Sequence, residues 1–168
     1  MNYLTKSLSQ MLGIYLVFFL LLSACRPNNG ERVQKFSFPQ HLSVISPSDS
    51  ISFNPDWFNE KHKVAVYIKQ AGRYSTLSLD WDHYITEFPE VAFLFYISEK
   101  DSIKLLKHLK EVSFQHPIIY DPDEIFHKQN DLQEPLTFNS FLLKDDVVVE
   151  MSNPSLPNFK ERLEDLIK

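Results

Sequence analysis

From Val64 to the C-terminus, short apolar runs alternate with apolar stripes at helical spacing, and this alternation narrows the fold more than any other feature of the chain. Val64 to Ile68 is a brief, β-branched run with the length of a buried strand. Leu77, Trp81, Tyr84, Ile85 and Phe88 then follow helical spacing, which predicts an amphipathic helix that stops by Pro89. Val91 to Ile97 is a second apolar run, too short for a typical helix and rich in aromatics. Asp101 is placed to cap a helix whose apolar face is Leu105, Leu106, Leu109 and Val112. Ile118 to Tyr120 predicts a third strand, and Asp121-Pro122-Asp123 a turn into a short helix reaching Lys128. Thr137 to Leu143 and Val147 to Glu150 flank Lys144-Asp145-Asp146 as the arms of a hairpin. After the break at Asn153-Pro154, the stripe Leu156, Phe159, Leu163, Leu166 and Ile167 predicts a closing helix. The resulting order, β-α-β-α-β-α-β-β-α, implies an α/β fold: a largely parallel central sheet, an antiparallel edge hairpin and helices on both faces.

The segment before this body is less regular. Phe36, Phe38, Leu42, Val44 and Ile45 are interrupted by Pro39, Pro47 and serines, which predicts short extended pieces. Residues 36–62 therefore read as an irregular segment packing on a domain at 63–168. Residues 25–35 are polar, carry Pro27 and Gly30, and read as a tether. Met11 to Leu22 is apolar apart from Gly13 and is too short to cross a bilayer, which needs about 20 residues. Lys6 before it and Ser23-Ala24 after it complete the outline of an export signal over residues 1–24.

Leu22-Ser23-Ala24-Cys25 resembles the lipobox of bacterial lipoproteins. The resemblance implies cleavage between Ala24 and Cys25 and lipid attachment to the Cys25 sulfur, with acyl chains such as palmitate holding the chain to a membrane outside the cytoplasm. The plainer alternative is an ordinary secretory signal with a chance cysteine. Cys25 is the one cysteine of the 168 residues. Once its sulfur is a thioether, no cysteine nucleophile, redox pair, disulfide or zinc–thiolate site remains. The whole chain carries a net charge of −5, and Lys6 is the one charged residue of the leader. The exported part is therefore more acidic still, which argues against nucleic acid as a partner.

Several strings, in order, resemble the thioredoxin fold, in the branch of thiol-disulfide oxidoreductases and peroxiredoxin-like proteins. Val64-Ala65-Val66-Tyr67-Ile68 and Gly72-Arg73-Tyr74-Ser75-Thr76 resemble its first core strand and active-site turn. Phe93-Leu94-Phe95-Tyr96 resembles the second core strand, His116 to Asp123 the following strand and turn, and Thr137 to Leu143 the late strand that usually follows a cis-proline. The departures bear on chemistry. Relatives carry C-x-x-C at the turn, where helix N–H groups stabilise a thiolate; here the two positions are Arg73 and Thr76. The cis-proline position falls at Phe138, after Thr137. The resemblance thus implies the fold and argues against the inherited reaction.

For the turn Arg73, Tyr74, Ser75 and Thr76 two readings stand. One is a small anion or peptide site, with Arg73 supplying charge and the hydroxyls and helix N–H groups supplying donors. The plainer one, preferred on sequence, is a solvated turn with Ser75 or Thr76 capping the helix. His41, His62, His83, His108, His116 and His127 show no i, i+4 pair and no HExxH string, so they read as scattered surface residues, and no metal site is expected. Asp80 and Asp82 read as exposed charges, and Asp121, Asp123 and Glu124 as a turn and a helix's first turn, without calcium. No GxSxG string occurs, so the sequence lends no support to a serine nucleophile, and the glycines at 13, 30 and 72 form no phosphate loop. No cofactor is expected.

The reading preferred from the sequence is a redox-inactive, membrane-anchored binding or scaffold module of the cell envelope, with an envelope protein or peptide as partner. Fold analogy offers a thiol-disulfide oxidoreductase or peroxidase-like enzyme instead. A structural envelope subunit, burying an apolar patch from Phe36 to Phe58, is the third reading. Arg26 after Cys25, where aspartate often signals inner-membrane retention, favours the periplasmic face of a Gram-negative outer membrane.

Overall fold

In the computed structural model, residues 34–48, 51–132 and 140–168 are described. The leader, Ala24, Cys25, Thr137 and Phe138 lie outside them. In chain order the elements are strand β1 (Ser43–Ile45), a 3₁₀ turn (Pro55–Asn59), β2 (His62–Ile68), a 3₁₀ turn (Thr76–Ser78), helix α1 (Trp81–Glu87), β3 (Ala92–Ile97), α2 (Ser102–Glu111), β4 (Ile118–Tyr120), α3 (Ile125–Gln129), β5 (Ser140–Lys144), β6 (Val147–Met151) and α4 (Phe159–Leu166).

These strands form one sheet in the order β1-β4-β3-β2-β5-β6. β2 pairs parallel with β3, and β3 with β4; β1 on β4, β5 on β2 and β6 on β5 are antiparallel. The expected parallel core is thus three strands wide. The sheet is more mixed than the sequence suggested, because the irregular segment contributes β1 to one edge while the hairpin occupies the other. Asp145 and Asp146 both lie in the left-handed region, at φ 53° and 66°. A two-residue hairpin turn needs this conformation twice, and aspartate tolerates it better than most residues.

Alternation along the strands divides the side chains between two cores. Val64, Val66 and Ile68 with Phe93, Phe95 and Ile97 face Trp81 of α1, Leu105 and Leu109 of α2, and Phe159, Leu163 and Leu166 of α4. Ala65, Tyr67, Leu94 and Tyr96 face the other way, against Phe126 of α3 and Phe36 and Phe58 of the lead-in segment. Tyr96 and Phe126 stack with ring centroids 4.0 Å apart. Phe53 and Trp57 pack against this second core. Those aromatics, taken as a candidate assembly patch, therefore serve as the cover that a two-faced sheet requires.

Gln34 and Lys35, read as the end of the tether, lie against the sheet. Lys35 forms an isolated antiparallel bridge to Val147, and the Val148 N–H donates to the Gln34 carbonyl at 2.9 Å. The reason is the open edge of β6, whose backbone groups need partners.

The expected helix over 77–88 is divided. The Thr76 carbonyl accepts from Leu79 N–H at 3.1 Å and from the Trp81 indole N–H at 2.7 Å. Those bonds close a 3₁₀ turn, and the α-helix starts only at Trp81. Asp101 caps α2 as expected, its Oδ1 accepting from Ile103 and Lys104 N–H, each at 3.0 Å. Within the expected apolar face of α2, Leu105 and Leu109 are buried, Leu106 is exposed, and His108 lies buried where Leu106 was expected.

Candidate functional site

The C-terminal ends of β2, β3 and β4 meet in one region, held by bonds between successive strands. Ser98 N–H donates to the Ile68 carbonyl at 2.8 Å, and Asp121 N–H to the Ile97 carbonyl at 2.9 Å. In open α/β sheets this edge is where ligands bind. Here the chain leaving β2 turns sharply, with Ser75 N–H donating to the Gly72 carbonyl at 2.8 Å. Glu99, just beyond β3, clasps the start of this turn. Its Oε2 accepts from Ala71 N–H at 3.3 Å and from Lys104 Nζ at 2.5 Å. The Lys104 ammonium, with backbone donors, holds the Glu99 carboxyl below its ordinary value despite burial. Trp81, buried among Phe93, Phe95 and Phe159, anchors the far end through its bond to Thr76.

Between these anchors lies an open cavity of about 500 Å³, lined by the run Ile68 to Thr76 and, from beyond β6, by Asn153. The four turn residues singled out in the sequence, Arg73, Tyr74, Ser75 and Thr76, all line it. So does Lys69, and no carboxylate does. A protein of net charge −5 thus presents two cations to this cavity without an acid among its lining residues. Tyr74 is 94% exposed, and the Arg73 guanidinium sits 5.9 Å from its ring centre. Asn153 is buried, its Oδ1 accepting from Ser155 N–H at 2.9 Å and Ser155 Oγ at 2.5 Å.

The Ser75 side chain is not a helix cap. It occupies the N-cap position of the Thr76–Ser78 turn without making a side-chain capping bond. Its Oγ instead lies 3.1 Å from Nε2 of His108 on α2, and Nδ1 of that ring is 3.8 Å from Glu111 Oε2. On sequence alone His108 and His116 read as surface residues. Both are buried. His116 stacks on Trp57 at 5.0 Å, and its Nε2–H donates to the Phe93 carbonyl at 3.0 Å. Burial lowers its pKa to about 4, against a smaller opposing effect of that bond. Among the described residues no three histidine, cysteine or acidic side chains are grouped to hold a metal ion.

The remaining carboxylates meet their expectations in part: Asp80 and Asp82 do, but α3 starts at Ile125, so Asp121, Asp123 and Glu124 precede its first turn instead of lying in it. Asp80 and Asp82 are exposed, and burial followed by the Asp80 charge raises the Asp82 pKa. Asp121 is buried and caps α3, accepting from Ile125 N–H with Oδ1 and Phe126 N–H with Oδ2, each at 2.8 Å. No helix among the described residues is long and apolar enough to cross a membrane.

No protein-family model matches the sequence, and no curated protein matches it. The structure, however, is similar to solved thioredoxin-like proteins. PrxQ from Xylella fastidiosa, solved as a cysteine-to-serine variant, superposes with a TM-score of 0.52 at 17% identity, over 82% of this chain and 98% of that one. A thioredoxin-like protein solved in its oxidised form gives a TM-score of 0.51 at 8% identity, over 80% and 96%. A candidate thiol:disulfide interchange protein, DsbE from Chlorobium tepidum, gives 0.50 at 15%, over 64% and 78%. At these identities the likeness establishes the fold: this chain has a thioredoxin-like α/β fold. Its reaction must be argued from its own residues.

Proposed function

We propose that this protein is a thiol-free thioredoxin-like module that binds an anionic group, a carboxylate-bearing peptide or a small anion, in the cavity behind the turn Arg73 to Thr76. The observation that carries this reading is the lining itself: Lys69 and Arg73, the hydroxyls of Ser75 and Thr76, and no acid. Arg73 recognises a carboxylate or phosphate through charge and paired N–H donors. The module is anchored through a lipidated Cys25, with residues 1–24 removed, outside the cytoplasm on the periplasmic face of an outer membrane. The lipobox-like Leu22 to Cys25 and the following Arg26 support this placement. Anchoring would present the site to envelope proteins or peptides.

Redox chemistry by fold analogy has no residue in its favour, since the chain's one cysteine is Cys25, far in sequence from the turn. The structural-subunit reading loses its motive too, because Phe36 and Phe58 are buried in the chain's own second core.

The test is an amide NMR titration of the protein with acetate, inorganic phosphate and a short acidic peptide. Shifts confined to residues 69–76, lost in Arg73→Ala, are the expected result. Unmoved amides at 69–76 with all three probes would contradict it.

A further inference from the structure

Ser75, which lines the cavity, and His108 of α2 are far apart in sequence, yet their side chains meet with the geometry of a nucleophile and its base. We propose that Ser75 is an activated nucleophile and that this site hydrolyses small carboxylic esters. The proposal rests on the preceding reading only for the location of the site.

Three observations carry it. The Ser75 hydroxyl stands at an N-cap position but forgoes capping, and its Oγ lies 3.1 Å from His108 Nε2, within the range for proton transfer. The imidazole is only 7% exposed, so its orientation is set by packing within α2's buried face. Glu111 lies one helical turn further on, with Oε2 at 3.8 Å from Nδ1. That distance is longer than a hydrogen bond, but the negative charge favours the tautomer with its proton on Nδ1, which leaves Nε2 as the acceptor. It also favours the imidazolium that forms during reaction.

The steps follow. Ser75 Oγ attacks the ester carbonyl as Nε2 of His108 takes the hydroxyl proton. The tetrahedral intermediate collapses, the C–O bond to the alcohol breaks, and His108 returns the proton to the departing alcohol. Water, deprotonated by the same Nε2, then attacks the acyl–Ser75 ester; the carboxylic acid leaves and the proton returns to Oγ. No redox partner is needed. Arg73 lines the same cavity and brings positive charge to it. The volume, about 500 Å³, is that of a small-molecule site. Ser75 and His108 are the catalytic residues, and Glu111 is a positioning residue.

A Ser75–His108 bond that only fastened the turn to α2 would not make the hydroxyl reactive, so the test reads reactivity. The full-length protein is incubated with p-nitrophenyl acetate; nitrophenolate release is followed, and acetylation is mapped by peptide mass spectrometry. Acetyl on Ser75 is expected. His108→Gln lowers the rate by about 100-fold or more. Glu111→Gln lowers it a few-fold, because the ring is then less well held in the tautomer that leaves Nε2 free to accept. A second variant keeps the test open if His108→Gln does not fold. In Ser75→Cys the introduced thiol, followed by its alkylation rate against pH, should titrate below the usual value of about 8.5. Acetyl groups on lysines alone, or an introduced thiol with an ordinary pKa, would overturn the proposal. Ser75 acetylation without any anion-induced shift would leave the nucleophile and remove the anion site; the reverse outcome would remove the nucleophile alone.

Discussion

His116 shows how one buried side chain sets the response of this protein to acid. Its ring lies between Trp57 and Phe95, and its Nδ1 has no hydrogen-bond partner among the described residues. The folded chain holds it neutral, with a pKa of about 4 against 6.5 for the free side chain. A histidine with a lowered folded pKa binds protons more readily when unfolded. Its contribution is therefore complete above pH 6.5 and disappears as pH falls from 6.5 towards 4. The shift corresponds to about 3 kcal/mol less stability at pH 4 than at pH 7. Urea unfolding at the two pH values checks this, and in His116→Gln the component should be absent. Equal pH slopes in the two proteins would exclude His116 as its source.

At the scale of elements, two aspartates with similar roles should differ in weight. Asp101 caps α2 at an exposed end, where water can replace it, so Asp101→Ala should cost about 1 kcal/mol. Asp121 is fully buried and serves two N–H groups of α3. Water cannot reach those donors easily, and Asp121→Ala should cost about 2 kcal/mol or more. Denaturant midpoints of the two variants give the order. Elements of this kind were legible because their cause is local: strands 64–68 and 93–97 are apolar at every position because both faces are covered, and Asp101 stands directly before its stripe. The break at Leu79 and Asp80 was not legible, since it depends on the Trp81 indole bonding to the Thr76 carbonyl. His108 could have been placed. It lies three residues after Leu105 and four before Val112, inside the apolar stripe, and its polarity drew attention away from that spacing. Its meeting with Ser75, and the arrival of Asn153 at the same cavity, depend on tertiary packing that no local pattern encodes.

For the whole molecule, fold and chemistry separate. The sheet order, the two cores and the solved neighbours establish a thioredoxin-like scaffold, while the turn after β2 carries Arg73, Tyr74, Ser75 and Thr76 and no cysteine. The resemblance found the turn because strand and turn adjoin in sequence; what the turn binds depends on its lining, which appears only in three dimensions. This scaffold is proposed to work without a thiol, from a lipid anchor at Cys25. Intact-mass analysis of the native protein extracted from membranes, with a count of reactive thiols after denaturation, tests that claim most directly. The expected result is the mass of residues 25–168 plus acyl chains and no reactive thiol. An uncleaved N-terminus, or a free thiol at Cys25, would contradict it.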